Sequence, residues 1–452
     1  LTLYGMESAA EFCARLHSDP AETALDIAEE LLEVGMAGEI AALFRTIEEE
    51  LGAERLSAMA YYTLADAYEQ LGHNAEADLY RKKARSMPIV RVFPHRLFEI
   101  DILCRACEAD DGDGVARYLL GCVLYGKGQH KKAAELWEVA TKALPDFYIP
   151  YRNLAMTYYS HLERKKDALP YLEKAVSLHP GDDQLLNEIS FVMASIGVPG
   201  EKRAAYIREH MPADSISDDL HLELAKAYNA AGAYDRAIEV MLSHEFTPGE
   251  GGEFVIAETY MFAQFAKGRR SLAAGDTESA LASFRAALTI PENLHAGFWN
   301  ESVTVPYRYF EAEALSRLGR KEEADGVIAA LSKLNNSGMW NMGGEFTYYS
   351  AMLSRLAGRE MEAQSVLRKA ISGWEDALAH PVYPHSDVKG GRFFYLCFVD
   401  DANVLREANL TYMLGYGMLA LGEKEKARDY FRRSLRLNPD NVKCALELDL
   451  LE

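Results

Sequence analysis

The sequence predicts an all-α chain: a right-handed α-solenoid of about ten helix-turn-helix pairs closed by a C-terminal capping helix. Three observations predict it. First, residues of fixed size recur in one register. The last copy runs Thr411, Leu414, Gly415, Met418, Gly422, Ala427, Phe431, Ser434, Pro439, and an earlier copy runs Leu120, Gly121, Leu124, Gly128, Ala133, Trp137, Ala140, Pro145. Second, a glycine turns the chain inside each copy and a proline ends the second helix. Third, small residues sit where two helices cross closely, and large apolar ones fill the space between pairs.

The elements follow in order. A degenerate pair over 20–50 turns at Gly35. The pair over 57–86 carries Ala65, Tyr68, Gly72, Ala77 and Ala84. A lone helix follows Phe93-Pro94 and ends near Asp110. Pairs over 114–144 and 147–179 are well formed, the second with a longer inter-helix loop. The pair over 182–211 is weak, holds Gly197, Pro199 and Gly200 between its helices, and reads as a hinge. Pairs over 217–246, 253–290, 301–334, 342–377 and 402–437 follow. The final helix, 440–451, reads as the cap, and Glu447, Asp449 and Glu452 suit the wet outer face a terminal repeat needs.

Insertions at 247–253, 291–300 and 380–400 interrupt the period. Pro and Gly forbid continuous helix there, and solenoid insertions commonly project on the binding face. The expected divisions are 1–110 (degenerate repeats), 111–246 (repeats), 247–379 (repeats with insertions), 380–401 (irregular insertion) and 402–452 (last repeat and cap). They are read as one continuous superhelix.

Composition bounds the function. The 48 Lys plus Arg stand against 69 Asp plus Glu, a net charge of −21, which opposes phosphate backbones and anionic membranes. Neither nucleic acid nor a membrane is expected as a partner. No apolar run reaches the roughly 18 residues that span a bilayer, and no secretory signal pattern opens the chain. Six cysteines in helical patterns read as reduced thiols of a cytoplasmic protein. A start at Leu1 suggests a fragment or a processed product.

The repeat register resembles the tetratricopeptide (TPR) repeat, whose period is about 34 residues. The resemblance covers most of the chain. Non-repeat segments carry a narrower one: Val92-Phe93-Pro94-His95-Arg96-Leu97-Phe98-Glu99-Ile100, Glu250-Gly251-Gly252, Pro291-Glu292-Asn293-Leu294 and Phe398-Val399-Asp400-Asp401. Together they resemble the C-terminal TPR half of large bacterial proteins with an N-terminal galactose-mutarotase-like domain of unknown function. The chain departs from that pattern around Phe298-Trp299-Asn300-Glu301. The resemblance implies a carbohydrate-related setting and places no catalytic residue here.

Several motifs approach chemistry and stop short. Gly121 to Gly128 nearly spells a phosphate-binding loop, but Gly128 stands where a Ser or Thr must hold magnesium. Cys104 and Cys107 have the spacing of half a zinc site, with no second pair at a suitable distance. Asp110-Asp111-Gly112-Asp113-Gly114 opens like a calcium loop, yet the twelfth position from Asp111 is Cys122. A helix turn followed by an N-cap fits better. His380, His385 and Asp387 lie on a loop without metal-site spacing, and Asp401 suits an N-cap. No catalytic residue, cofactor or metal is expected.

The TPR resemblance implies that positions 2, 5, 9 and 12 of each first helix line a concave face. Position 5 is then Tyr62, Tyr118, Arg152, Leu222, Phe265, Tyr309, Tyr348 and Tyr412. Positions 9 and 12 add Tyr125, Met156, Tyr159, Arg269, Met352, Arg355 and Tyr416. Tyrosine offers large contact area at little entropic cost. Packing of the same rings between neighbouring helices competes with that reading. The basic and Asn set that binds acidic chaperone tails is missing. The expected function is a non-enzymatic scaffold holding a peptide, a partner protein or its own N-terminal domain in an aromatic groove. The alternative is the non-catalytic half of a carbohydrate-active protein, with the insertions docking against or closing over a sugar site and Trp299, Trp340 or Phe393 helping to shape the cleft.

Overall fold

The computed structural model describes residues 8–249, 252–298, 301–333, 343–380 and 398–452. Twenty-three α-helices and no strand are found among them. They fall into two compact units that divide between His179 and Pro180.

Unit 1 holds α1 (Ala9–Leu16), α2 (Pro20–Glu33), α3 (Ala37–Leu51), α4 (Ala58–Gln70), α5 (Asn74–Ser86), α6 (Leu97–Ala109), α7 (Gly114–Gly126), α8 (His130–Ala143), α9 (Tyr148–Ser160) and α10 (Lys165–Leu178). The sequence pattern missed α1, a two-turn helix capped by the Ser8 hydroxyl, which accepts from the Glu11 amide. Its only local signal is that serine with a Glu three residues on.

Unit 2 holds α11 (Asp183–Ser195), α12 (Gly200–His210), α13 (Asp218–Ala230), α14 (Tyr234–Ser243), α15 (Glu253–Ala273), α16 (Thr277–Ala287), α17 (Val305–Arg317), α18 (Lys321–Leu331), α19 (Gly343–Leu356), α20 (Glu360–Ala379), α21 (Ala402–Ala420), α22 (Lys424–Leu437) and α23 (Val442–Asp449).

Both units stack helix pairs, and one crossing device recurs. A glycine on the first helix lies against an aromatic ring of the second. A Cβ on Gly121 would sit 2.4 Å from the Trp137 ring, one on Gly268 2.6 Å from Phe284, and one on Gly415 2.4 Å from Phe431. All three rings are buried. The helices are thus held at the separation only a missing side chain permits. Turn glycines do a second job: Gly128 and Gly422 have φ of 76° and 80°, a left-handed conformation costly for other residues. In the longer loop between α9 and α10 that place falls to Glu163, at φ 55°.

Non-repeat segments act as joints. Arg96, at the head of α6, donates to Asp26 and Glu22 of α2 at 2.6–2.9 Å and to Glu99 at 3.1 Å. The Glu99 carboxylate in turn accepts from the His95 and Arg96 amides at 2.6 and 2.7 Å. In unit 2, the Asn293 amide donates to the Met241 and His244 carbonyls, and its carbonyl accepts from the Phe246 amide at 2.9 Å.

The C-terminal helix exposes Asp449 and Glu452 as expected, but its third acid does not follow. Glu447 is only 2% exposed, not part of a wet outer face. After α22 the chain turns back across unit 2. Pro439 packs 3.5 Å from the point where a Gly197 Cβ would stand, Asp440 accepts from Arg203 at 3.0 Å, and α23 reaches the first helices α13, α15, α19 and α21. The physical reason is charge of both signs together with apolar burial: Arg203 and Arg269 meet Asp440 and Glu447, Lys443 meets Glu258 and Glu345, and Cys444 and Leu446 are buried.

Candidate functional site

In unit 1 the predicted residues occupy consecutive first helices α4, α7 and α9. Tyr62, Tyr118 and Tyr159 are buried. The Tyr62 hydroxyl donates to Asp113 at 2.8 Å, the same carboxylate that caps α7 by accepting from the Ala116 amide at 2.9 Å. Burial pushes the Tyr62 phenol far up, with the Asp113 charge adding to it. Tyr118 meets Phe147 edge-on with ring centroids 5.1 Å apart, and its carbonyl accepts from the Trp137 indole at 3.1 Å. Lys165 lies over the Tyr159 ring at 4.5 Å. Tyr125, Arg152 and Met156 are only partly buried. Tyr125 lies 3.1 Å from His161 Nε2, and His161 stacks on His130 with ring centroids 3.6 Å apart.

In unit 2 the predicted Phe265, Tyr309, Tyr348, Tyr412 and Tyr416 come together, joined by Tyr307, Phe310 and Tyr349, which the register did not single out. Centroids of successive rings lie 4.5 Å apart for Tyr348–Tyr416, 4.8 Å for Tyr348–Tyr349, 4.9 Å for Tyr412–Tyr416 and 5.6 Å for Tyr309–Tyr349. All are buried. Their hydroxyls form a chain. Tyr412 Oη lies 3.1 Å from both Glu345 Oε1 and Tyr416 Oη, and Tyr416 donates to Glu447 at 3.2 Å. Arg269 completes the hub. It donates twice to Glu447, at 2.5 and 3.0 Å, and its guanidinium lies 4.1 Å from the Phe310 centroid. Arg355 is directed elsewhere, to Glu360 at 2.9 Å and the Ala420 carbonyl at 3.0 Å.

A narrow cleft opens beside this hub, bounded by Glu258, Tyr307, Glu345, Lys443 and Glu447. Lys443 pairs with Glu258 at 3.0 Å and Glu345 at 3.4 Å. Burial alone would depress the Lys443 amine; the two carboxylates outweigh it and hold the ammonium well above its usual range. Arg269 is likewise held charged, because Glu447 overcomes the cost of burying it.

The near-motifs have structural places. Gly121 to Gly126 is the end of α7. Asp113 is the α7 N-cap, and Asp110 pairs with Arg85 at 3.0 Å. Cys104 and Cys107 lie on α6, and burial raises the Cys107 thiol to about 12. Asp401 caps α21 through the Asn403 amide at 2.8 Å. His380 ends α20, while His385, Asp387, Trp299, Trp340 and Phe393 lie outside the described residues. Among the described residues no group of three or more His, Cys, Asp or Glu could hold a metal, and no helix is long and apolar enough to cross a membrane.

Family models described as tetratricopeptide repeat match residues 58–84, 118–183 and 408–441. Among solved structures, the chain is similar to the human IFIT1 dimer with PPP-AAAA at 16% identity, over 91% of this chain and 89% of that one, with a TM-score of 0.32. It is similar to YrrB, "a TPR protein with an unusual peptide-binding site", at 15% identity over 41% and 90%, TM-score 0.31. A third is the C-terminal part of a TPR repeat-containing protein from Cytophaga hutchinsonii, at 16% identity over 60% and 98%, TM-score 0.35. The chain carries tetratricopeptide repeats in the segments that the family models match, and such repeats indicate a protein-interaction scaffold.

Proposed function

We propose that the chain is a non-enzymatic scaffold that holds a peptide or partner-protein segment on the first-helix face of unit 1. Its setting is the reducing cytoplasm of a bacterium, and its own N-terminal domain is one such partner. The observation that carries this reading is the mixed face of α7 and α9. Buried Tyr118 and Tyr159 fix the helices, while partly exposed Tyr125, Arg152 and Met156 stand on them in adjacent repeats. Aromatic, thioether and guanidinium groups together suit a segment that offers an apolar side chain and a carboxylate. In unit 2 the corresponding tyrosines are buried against one another and Tyr416 is tied to Glu447 of α23, so the same role there requires a further step. Five described cysteines are free thiols, in keeping with the reducing setting.

Site-specific photocrosslinking in the native cell tests the assignment. A benzoylphenylalanine at Met156 should trap one discrete protein or domain, and one at exposed Lys142 on α8 should not. Identical adducts from both positions would remove the face from consideration.

A further inference from the structure

The inner side of unit 2 already holds a helix, and the way it does so is specific. Three carboxylates of the C-terminal segment each meet an arginine placed far back in the chain. Asp440 meets Arg203 at 3.0 Å, Glu447 meets Arg269 at 2.5 Å, and Asp449 meets Arg270 at 3.0 Å. Arg203 is 2% exposed, and its Nε has no hydrogen-bond partner. Between the carboxylates, Cys444 and Leu446 bury compact apolar side chains. The α23 helix has eight residues, below the length at which a helix holds in water by itself. It is therefore helical because the face makes it so.

We propose that this inner face is a binding site for an acidic amphipathic helix of a partner protein, and that α23 is its occupant in cis. The proposal rests on the scaffold reading but uses the other unit, on its own first-helix face. A partner helix would carry carboxylates in the places of Asp440, Glu447 and Asp449, compact apolar side chains in those of Cys444 and Leu446, and a single cation in that of Lys443, which meets Glu258 and Glu345 of the face. Arginine suits this task, because its fork pairs both oxygens of one carboxylate, as Arg269 does with Glu447. The tethered helix competes at high effective concentration, on the order of millimolar. A partner therefore enters only with extra contacts or once the latch is weakened.

The test uses the full chain and a fluorescein-labelled peptide of sequence 438–452, followed by anisotropy. Wild-type protein should take up little peptide. Glu447→Gln, which removes the buried charge and keeps the shape, should bind it about tenfold more tightly or better, a difference of ~1.4 kcal/mol. A peptide carrying Glu447→Arg should fail on that protein. An Arg269→Glu chain should reverse the preference. Alkylation of Cys444, buried on α23, reports release independently and should accelerate in Glu447→Gln. Faster alkylation without peptide uptake would overturn the proposal, as would uptake indifferent to the charge swap. Unchanged alkylation with no uptake would overturn it too, by showing that α23 does not leave. A Glu447→Gln dimer that excludes the peptide would replace the partner protein with a second copy of the chain. None of these outcomes alters crosslinking at Met156, so the two readings fail separately.

Discussion

Arg269 on α15 grips Glu447 on α23 with two parallel hydrogen bonds, across a sequence separation of 178 residues. Both side chains are largely buried, and Tyr416 shares the carboxylate. A pair so placed is costly to break from one side, because the remaining charge keeps its burial and loses its compensation.

Glu447→Ala should accordingly destabilise unit 2 by about 3–5 kcal/mol, while Arg269→Met with Glu447→Leu should recover much of that loss. Thermal unfolding of the two variants and wild type decides the matter. A double variant no better than the single would mean the pair is not the interaction that matters.

The crossing glycines give a second expectation. Gly415→Ala forces a methyl to within 2.4 Å of the Phe431 ring, and the well-packed ring has little room to yield. A loss of about 1–3 kcal/mol is expected, and Phe431→Leu in the same chain should relieve part of it. Gly422→Ala meets no atom but keeps a left-handed φ, so its loss should not respond to Phe431→Leu. Chemical denaturation of the four variants separates crowding from backbone strain.

Glu163 offers the opposite case. It holds a left-handed φ of 55° in a turn position that glycine fills in most other pairs. Glu163→Gly should stabilise unit 1 by ~1 kcal/mol, less the added freedom of the unfolded chain. A lower melting temperature in calorimetry would contradict the strain assigned to this residue.

How much of this was legible beforehand follows from the range of each interaction. The Gly121–Trp137 and Gly415–Phe431 crossings are local, repeat in register and could be read from spacing alone. So could the Asp113 and Asp401 caps, each set within a few residues of the amide that donates to it. The register also brought Tyr348, Tyr412 and Tyr416 to one face. It did not say what covers that face, because a repeat pattern encodes contacts with the next repeat and no others. Glu447 therefore looked like an ordinary terminal acid. Nothing near it in sequence points to Arg203, Arg269 or Arg270. The joints at Arg96 and Asn293 were visible as departures from the period, but their hydrogen bonds to α2 and to the end of α14 depend on the folded path.

Acid should loosen unit 2 through Glu223. Burial would raise this carboxyl, but Lys226 and Arg203, with hydrogen bonds from Lys226 at 2.9 Å and Ser190 at 2.8 Å, hold it down to about 2. A depressed carboxylate contributes stability that is complete above its unfolded value, near 4.3, and disappears as pH falls toward 2. Roughly 2–3 kcal/mol is at stake. Urea unfolding at pH 6 and pH 3 should show a smaller acid penalty in Glu223→Gln than in wild type. Equal penalties would assign the acid sensitivity to other groups.

The Arg203–Asp440 contact spans 237 residues, and this length has a kinetic consequence. Linear arrays have low contact order, since each repeat can dock as soon as its neighbour exists. Unit 2 departs from that regime at its last step. On the ribosome, α11 through α22 emerge and stack while Arg269 still lacks Glu447 and the Glu258 and Glu345 carboxylates still lack Lys443. Only when residues 440–449 appear does the loop close, at the entropic cost of joining distant ends. Nascent unit 2 thus stays open along its inner side, with Arg269, Glu258 and Glu345 awaiting α23, and the emergence of that one helix, rather than the folding of any one repeat, sets the moment at which it shuts.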